Sequence, residues 1–280
     1  KEFESSEREY KRLIDVFKAH NIGYFFYNGG NDSADTAFKV SQISKKLNYP
    51  INCIAIPKTV DNDLVLTDCC PGFGSAAKYI ATSTLEASLD VQSMAATSTK
   101  VFILEVMGRH AGWMAAASSL ARKEKGDAPH IILLPEITFN QKKFLAEVRS
   151  VVKKNGYCVV VVSEGLKNNK NRFLSESATK DAFGHAQLGG VAPYIANLIT
   201  DKLKLKNHWA VSDYLQRSAR HIASKTDLEQ AMAVGTKAVQ YAVEGMNGVM
   251  PIIVRGKTKK YSWTIEPAPL AKIANLEKKL

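Results

Sequence analysis

The chain has 280 residues, of which 45% are hydrophobic and 23% charged, and a formal net charge of +11. This composition supports one large core or two smaller ones and excludes a disordered or low-complexity chain. No apolar run approaches the roughly 20 residues that a membrane span needs, and the opening stretch KEFESSEREYKRL is polar rather than signal-like. A basic excess suits small anionic substrates, a membrane surface or nucleic acid. The lysines are scattered, apart from Lys202, Lys204 and Lys206 and from Lys257, Lys259 and Lys260, and no aromatic-basic interleaving or DNA-reading helix accompanies them. We therefore expect neither a nucleic-acid nor a membrane partner. Cys53, Cys69, Cys70 and Cys158 have neither disulfide-framework nor zinc spacing, so reduced thiols and a cytoplasmic location are expected.

Apolar runs then alternate with helical patterns. IGYFFYN (22–28) reads as a buried strand, and 33–47 as a helix with Ala37, Val40, Ile43, Ser44 and Leu47 on one side. INCIAIP (51–57) is a strand, 74–95 a helix rich in small residues, and KVFILEVM (100–107) a strand. Residues 110–125 read as a helix ended by Gly126, 130–135 as a strand, and 141–155 as an amphipathic helix closed by Gly156. YCVVVVS (157–163) is too apolar for a strand with one exposed face. The polar stretch 166–187 reads as a surface excursion, followed by helices at 190–203 and 227–245, a strand at 249–254 and a short tail. Strands covered on both sides and alternating with helices imply a doubly wound, mainly parallel α/β sheet. Ligands bind such sheets where strands end and loops begin.

Every unusual motif lies at such a place. GGNDS (29–33) offers the N–H groups of Gly29 and Gly30, with a helix N-terminus, to an anion. It also fits a tight turn with Asp32 or Ser33 as N-cap. PKTVDNDL (57–64) sets Lys58 and Thr59 before Asp61 and Asp63. Two near carboxylates can divide proton acceptance and orientation or metal binding, and a lysine can neutralise a phosphoryl group; the alternative is an Asx-rich capping loop. EVMGRHAG (105–112) puts Arg109 at a strand-to-helix turn, where it can grip phosphate or stand as a surface arginine. SEG (163–165) ends a strand with Glu164, either a hydroxyl ligand or a turn residue. In SDYLQRSAR (212–220), Tyr214 and Arg217 share a face if the segment is helical, and Arg217 could clamp a second anion.

In order, GGNDS, PKTVDND, EVMGRHAG, SEG and YLQR resemble the phosphofructokinase family over most of residues 22 to 280. The resemblance implies two Rossmann-like lobes with mainly parallel sheets: a phosphoryl-donor lobe of 1–80 plus about 217–248, and a sugar-phosphate lobe of 81–216 plus 249–280. It places the glycine loop and the TxDxD loop face to face across a cleft. It implies that Asp61 is the general base for the sugar's 1-hydroxyl and Asp63 its supporting carboxylate. It further implies that Thr59, Val60 and Asp61 line the sugar site. Met107, Gly108 and Arg109 would hold fructose 6-phosphate, Arg109 also stabilising transferring charge. Glu164 would bind a sugar hydroxyl. Tyr214 and Arg217 stand where the family has HxxR, with Tyr214 in place of histidine. Lys100 and His208 align with arginines lent to a neighbouring subunit, which implies a homo-oligomer, a dimer or tetramer, with sites at the interface.

Where ATP-using members have GGDGS and PGTIDND, this chain has Asp32 and Lys58, as the pyrophosphate-dependent branch does. Asp32 puts charge and bulk where the α-phosphate of ATP would sit, and Lys58 adds positive charge for pyrophosphate. Gly29, Gly30, Asp32, Ser33 and Lys58 are thus the expected donor site. Asn31 stands at the usual metal aspartate, so Asn31 and Asp32 are the expected Mg²⁺ ligands. The expected activity is reversible transfer of phosphate from pyrophosphate to fructose 6-phosphate. An ATP-dependent phosphofructokinase and a non-catalytic regulatory subunit are the alternatives. The family's first strand and its glycine loop have no counterpart here, so an incomplete record of a longer protein is expected.

Overall fold

Runs of β-branched residues make strands that tolerate no water on either side, and here they form the centres of two sheets. The computed structural model describes residues 2–49, 51–174, 176–180, 186–188 and 190–280. Its elements begin with α1 (Glu2–Ala19), β1 (Tyr24–Gly29), α2 (Asn31–Lys46), β2 (Asn52–Pro57), α3 (Phe73–Met94), β3 (Val101–Val106), α4 (Trp113–Ala117), β4 (Ile131–Leu133) and α5 (Gln141–Asn155). They continue with β5 (Cys158–Ser163), β6 (Glu176–Lys180), β7 (Ala186–Leu188), α6 (Val191–Leu203), β8 (Asn207–Val211), α7 (Leu215–Ser218), α8 (Lys225–Val243), β9 (Val249–Arg255) and β10 (Trp263–Pro269).

The chain divides into two units. The first comprises Lys1–Thr59, Asp63–Gly72 and Lys225–Lys278. Its sheet has the order β1-β2-β9-β10, parallel except for β10. Along β2, Cys53 and Ala55 pack toward α2, and Ile54 and Ile56 toward α8, so alternate residues serve opposite faces. Ile14 and Phe17 of α1 pack with Val40 and Ile43 of α2.

The second unit comprises Val60–Asn62, Phe73–Ser224 and Lys279–Leu280. Its sheet, β4-β5-β3-β8, is wholly parallel. β5 is buried at all six positions. Val160 and Val162 face Phe144 and Val148 of α5 and Ile195 and Ile199 of α6, whereas Val161 faces Ile80 of α3 and Met114 of α4.

The division differs from the one expected. Residues 249–278 belong with β2 in the first unit, because β9 pairs parallel to β2 and β10 antiparallel to β9. Residues 73–80 and 217–224 belong to the second unit, and α3 runs unbroken through residue 80. The helix expected over 110–125 is only α4 and a 3-10 turn at Ser118–Ala121. Asp127 accepts the Lys123 and Glu124 N–H groups and closes the following residues into a loop. β8 and β10 were not expected. β10, WTIEPAP, tolerates its prolines as an antiparallel edge strand. The excursion at 166–187 carries the antiparallel pair β6 and β7, and its residues 175 and 181–185 lie outside the described residues.

Candidate active site

In the first unit, β1 and β2 run parallel with Gly29 opposite Pro57, so the turns after both strands emerge side by side. The Lys58 N–H donates to the Gly29 carbonyl at 3.0 Å. Gly30, not Asp32 or Ser33, is the N-cap of α2, and Asn31, Asp32 and Ser33 form its first turn. Asp32 is exposed there, where a carboxylate complements the helix dipole. Gly29 is required for a reason internal to the turn: a Cβ would lie 1.9 Å from Ser33 Oγ. At Gly30 a Cβ would meet only ordinary contacts, at 3.7 Å from the Lys58 carbonyl. Lys58 is exposed at the rim of this turn.

Asn31 turns toward the second motif. Its Nδ2 donates to Asp63 Oδ2 at 3.4 Å. Asn31 Oδ1 and Asp63 Oδ1 are both buried with no hydrogen-bond partner. Burial pushes the Asp63 carboxyl above its ordinary value, against hydrogen bonds from its own backbone, Asn31 and Thr59, while the Glu277 charge adds to the rise. Two buried acceptors without donors are of the oxygen type that suits a hard cation. Among the described residues, no three His, Cys, Asp or Glu are grouped to hold a metal.

In the second unit, β3 ends at Val106, and the turn Met107–Gly112 leads into α4. Gly108 has φ +130, and a Cβ there would lie 2.6 Å from the Ala111 carbonyl. The SEG turn interlocks with it. Ser163 Oγ donates to the Gly108 carbonyl, and the Gly165 N–H donates to Ser163 Oγ at 3.2 Å. A Cβ on Gly165 would lie 1.9 Å from the Arg109 carbonyl. Glu164 Oε1 accepts the Gly108 N–H at 3.3 Å. Burial raises the Glu164 carboxyl from its ordinary 4.5 to about 7, and the Asp61 charge adds to the rise. The Gly108 N–H and the Arg109 charge oppose it. Asp61 and Val60 fall in this unit by their packing, whereas Lys58, Thr59 and Asp63 fall in the first. Asn62 between the carboxylates is buried with φ +56.

Tyr214 caps the four-residue α7, and the Arg217 guanidinium lies 3.9 Å from its ring centroid. Both are exposed. Between them Gln216 is buried, its Oε1 accepting the Met107 N–H at 3.2 Å and its Nε2 donating to the Asp213 carbonyl at 2.8 Å. Gln216 thus ties the YLQR turn to the MGR turn, a role the sequence did not reveal. Also missed were Ser163 and Glu136, whose Oε1 accepts the Gly112 N–H at 2.8 Å. A buried Gln inside a polar motif and a Glu just after a strand were the only traces. Lys100 and His208 do not join this turn within the chain. They lie at the start of β3 and on β8 opposite Phe102, with Met107 at the other end of β3. Lys100 Nζ donates to the Ala95 and Ala96 carbonyls after α3.

A glycine turn beside a Lys–Thr–Asp loop in one unit, and an Arg–Glu turn in the other, are residue types that suit phosphate. The phosphofructokinase family model matches residues 1–242, and the chain belongs to this family. The pyrophosphate–fructose 6-phosphate 1-phosphotransferase of Halomonas elongata is 61% identical over 278 residues, which are 99% of this chain and 66% of that protein. The crystal structure of a pyrophosphate-dependent phosphofructokinase from Marinobacter aquaeolei superposes with a TM-score of 0.87 at 59% identity, covering 98% of this chain and 65% of that one. A like-named structure from Nitrosospira multiformis gives a TM-score of 0.88 at 59% identity, covering 98% of this chain and 66% of that one. The chain thus spans about two thirds of the length of these relatives. Among the described residues, no helix is long and apolar enough to cross a membrane.

Proposed function

We propose that the protein transfers a phosphoryl group reversibly from pyrophosphate to the 1-hydroxyl of fructose 6-phosphate. The relatives' names support this acceptor and donor. The observation that carries the donor assignment is at one turn. Exposed Lys58 is bonded through its N–H to Gly29, and exposed Asp32 follows the two glycines in the first turn of α2. A short inorganic diphosphate gains from the ammonium, whereas a nucleotide would bring its α-phosphate against a carboxylate.

Phosphoryl transfer needs positioning and neutralisation of charge more than covalent help from the protein. Asp61 takes the proton of the 1-hydroxyl as that oxygen bonds to phosphorus and inorganic phosphate leaves, with no phosphoenzyme. Asp63 supports this loop, and Thr59 and Val60 line the sugar. Arg109, held by the interlocked turns of Gly108 and Gly165, neutralises developing charge. Glu164 accepts a sugar hydroxyl, and Arg217, stacked on Tyr214, grips the 6-phosphate. The family generally uses a divalent metal, and Mg²⁺ fits the two unpartnered buried oxygens of Asn31 and Asp63. When bound it supplies positive charge to the phosphoryl oxygens. Asp32, exposed one residue on, is the further oxygen ligand expected from the sequence. The same reading makes the protein a cytoplasmic homo-oligomer in which Lys100 is lent to the sugar phosphate of a neighbouring copy.

The test is turnover by the purified protein with pyrophosphate and with ATP. Pyrophosphate turnover is expected to dominate; equal or greater ATP turnover would reject the donor assignment.

A further inference from the structure

We infer that Leu270–Lys278 is a strap that positions the Asp63 loop, and that Lys278 is its positioning residue. The inference rests on the phosphotransferase reading of Asp63. The loop from Lys58 to Gly72 contains no helix or strand, and two of its non-glycine residues take positive φ, Asn62 at +56 and Leu66 at +68. A loop of this kind holds its shape only through partners elsewhere. In the first unit it pairs with itself at Thr59 and Gly72, and with the strap at Leu64 and Glu277.

The strap grips the backbone of Asp63 itself. The Lys278 N–H donates to the Asp63 carbonyl at 2.7 Å. The Lys278 side chain then crosses the loop, and its Nζ donates to the Thr67 carbonyl at 2.9 Å and the Asp68 carbonyl at 3.1 Å. One residue thus fixes the loop at Asp63 and again four and five positions later. An ammonium taken from water is costly unless hydrogen-bonded, so these contacts commit the side chain to this geometry. Burial lowers the Lys278 pKa, in keeping with that cost.

The other end of the strap is anchored to the frame that carries GGNDS. Leu270 and Ile273 are fully buried with Leu64 and with Ala34 and Ala37 of α2. Asn275 Nδ2 donates to Asp35 Oδ1 of α2 at 2.9 Å, and the Leu270 N–H donates to the Gly248 carbonyl at 2.8 Å. The strap therefore registers the loop of Asp63 against the helix of Asn31, whose side chains meet at 3.4 Å. A displacement of about 1 Å at such a pair costs up to about 100-fold in rate.

The experiment compares the protein as encoded with Lys278→Met and Lys278→Arg. It reads pyrophosphate-dependent kinetics and deuterium uptake by peptides spanning residues 62–68 and, as a control, β5. Lys278→Met is expected to lower kcat about 10- to 100-fold, to leave KM for fructose 6-phosphate within about twofold, and to speed uptake at 62–68 but not in β5. Lys278→Arg, which keeps a donor, is expected to recover most of both. Wild-type kcat and uptake in Lys278→Met would overturn the strap, as would faster uptake in β5 to the same degree, the mark of a merely structural lysine. If Lys278→Met does not fold, Lys278→Gln is read against the same criteria. An inactive wild-type protein would overturn the phosphotransferase reading instead, and deuterium uptake would still decide the strap.

Discussion

The two units solve the problem of a phosphate site in opposite ways. In the second unit the MGR and SEG turns are closed upon each other: Ser163, Glu164 and Gln216 all receive or supply main-chain hydrogen bonds there, and Glu136 accepts one through Oε1 while its Oε2 stays buried without a partner. In the first unit the GGNDS turn and the loop at Asp63 leave oxygens open: Asn31 Oδ1 and Asp63 Oδ1 are buried without donors. The difference teaches which turns are tied directly to one another by side chain to main chain bonds and which keep a facing pair of buried acceptors unmatched. A turn whose donors and acceptors are matched is rigid and orients side chains. A turn with unmatched buried acceptors is stabilised by whatever cation arrives.

The strongest way to break this contrast is Asp61→Ala. Loss of a general base is expected to lower kcat by about 100- to 10,000-fold while sparing sugar-phosphate binding. Unchanged turnover would remove Asp61 from its role. Next comes Arg217→Ala, which removes a charged clamp from the second unit. It is expected to raise KM for fructose 6-phosphate roughly 10- to 100-fold, and a KM that stays put would free the Tyr214–Arg217 stack from substrate binding. In the open half, Asp32→Gly with Lys58→Gly is expected to raise ATP use relative to pyrophosphate use by about tenfold or more. A double variant with no gain in ATP turnover would show that neither side chain selects the donor.

How much of this was legible beforehand follows the range of the interactions. β2, β3 and β5 were plain from their β-branched runs, and α2, α3 and α5 from their periodicity, because those signals are local. The place of β9 was not, since its partner Ile54 lies far upstream of Val249 and pairing order leaves no trace in composition. β8 and β10 are edge strands carrying polar residues or prolines, so they lack the buried-strand pattern. In the site, the motif residues were readable as residue types at strand ends. Their partners were not. Nothing in the sequence says that Gly29 is glycine because of Ser33, that Asn31 meets Asp63, or that Lys278 crosses the loop, since each depends on chain segments brought together by the fold.

The smallest expected effect is also the one that best separates rigidity from chemistry. Glu164 is raised to about 7, first by burial and then by Asp61, yet it accepts the Gly108 N–H only as an acceptor oxygen. If its ionised form holds the sugar hydroxyl, KM for fructose 6-phosphate should fall a few-fold as pH rises from about 6 to 8. Glu164→Gln should flatten that profile. Stability must move the other way. With a folded pKa of about 7 above the ordinary 4.5, the native state binds more protons than the unfolded state between those values. The stability this group contributes is therefore greatest below 4.5 and declines as pH rises through about 7. Glu164→Gln, which never ionises, should accordingly raise Tm at pH 8 relative to wild type, with a smaller gain or a loss at pH 5. Thermal unfolding at the two pH values, beside the KM profile, checks both signs at once. A Tm difference independent of pH would mean that Glu164 is already ionised at little cost, and that its turn is more open to water than its hydrogen bonds imply.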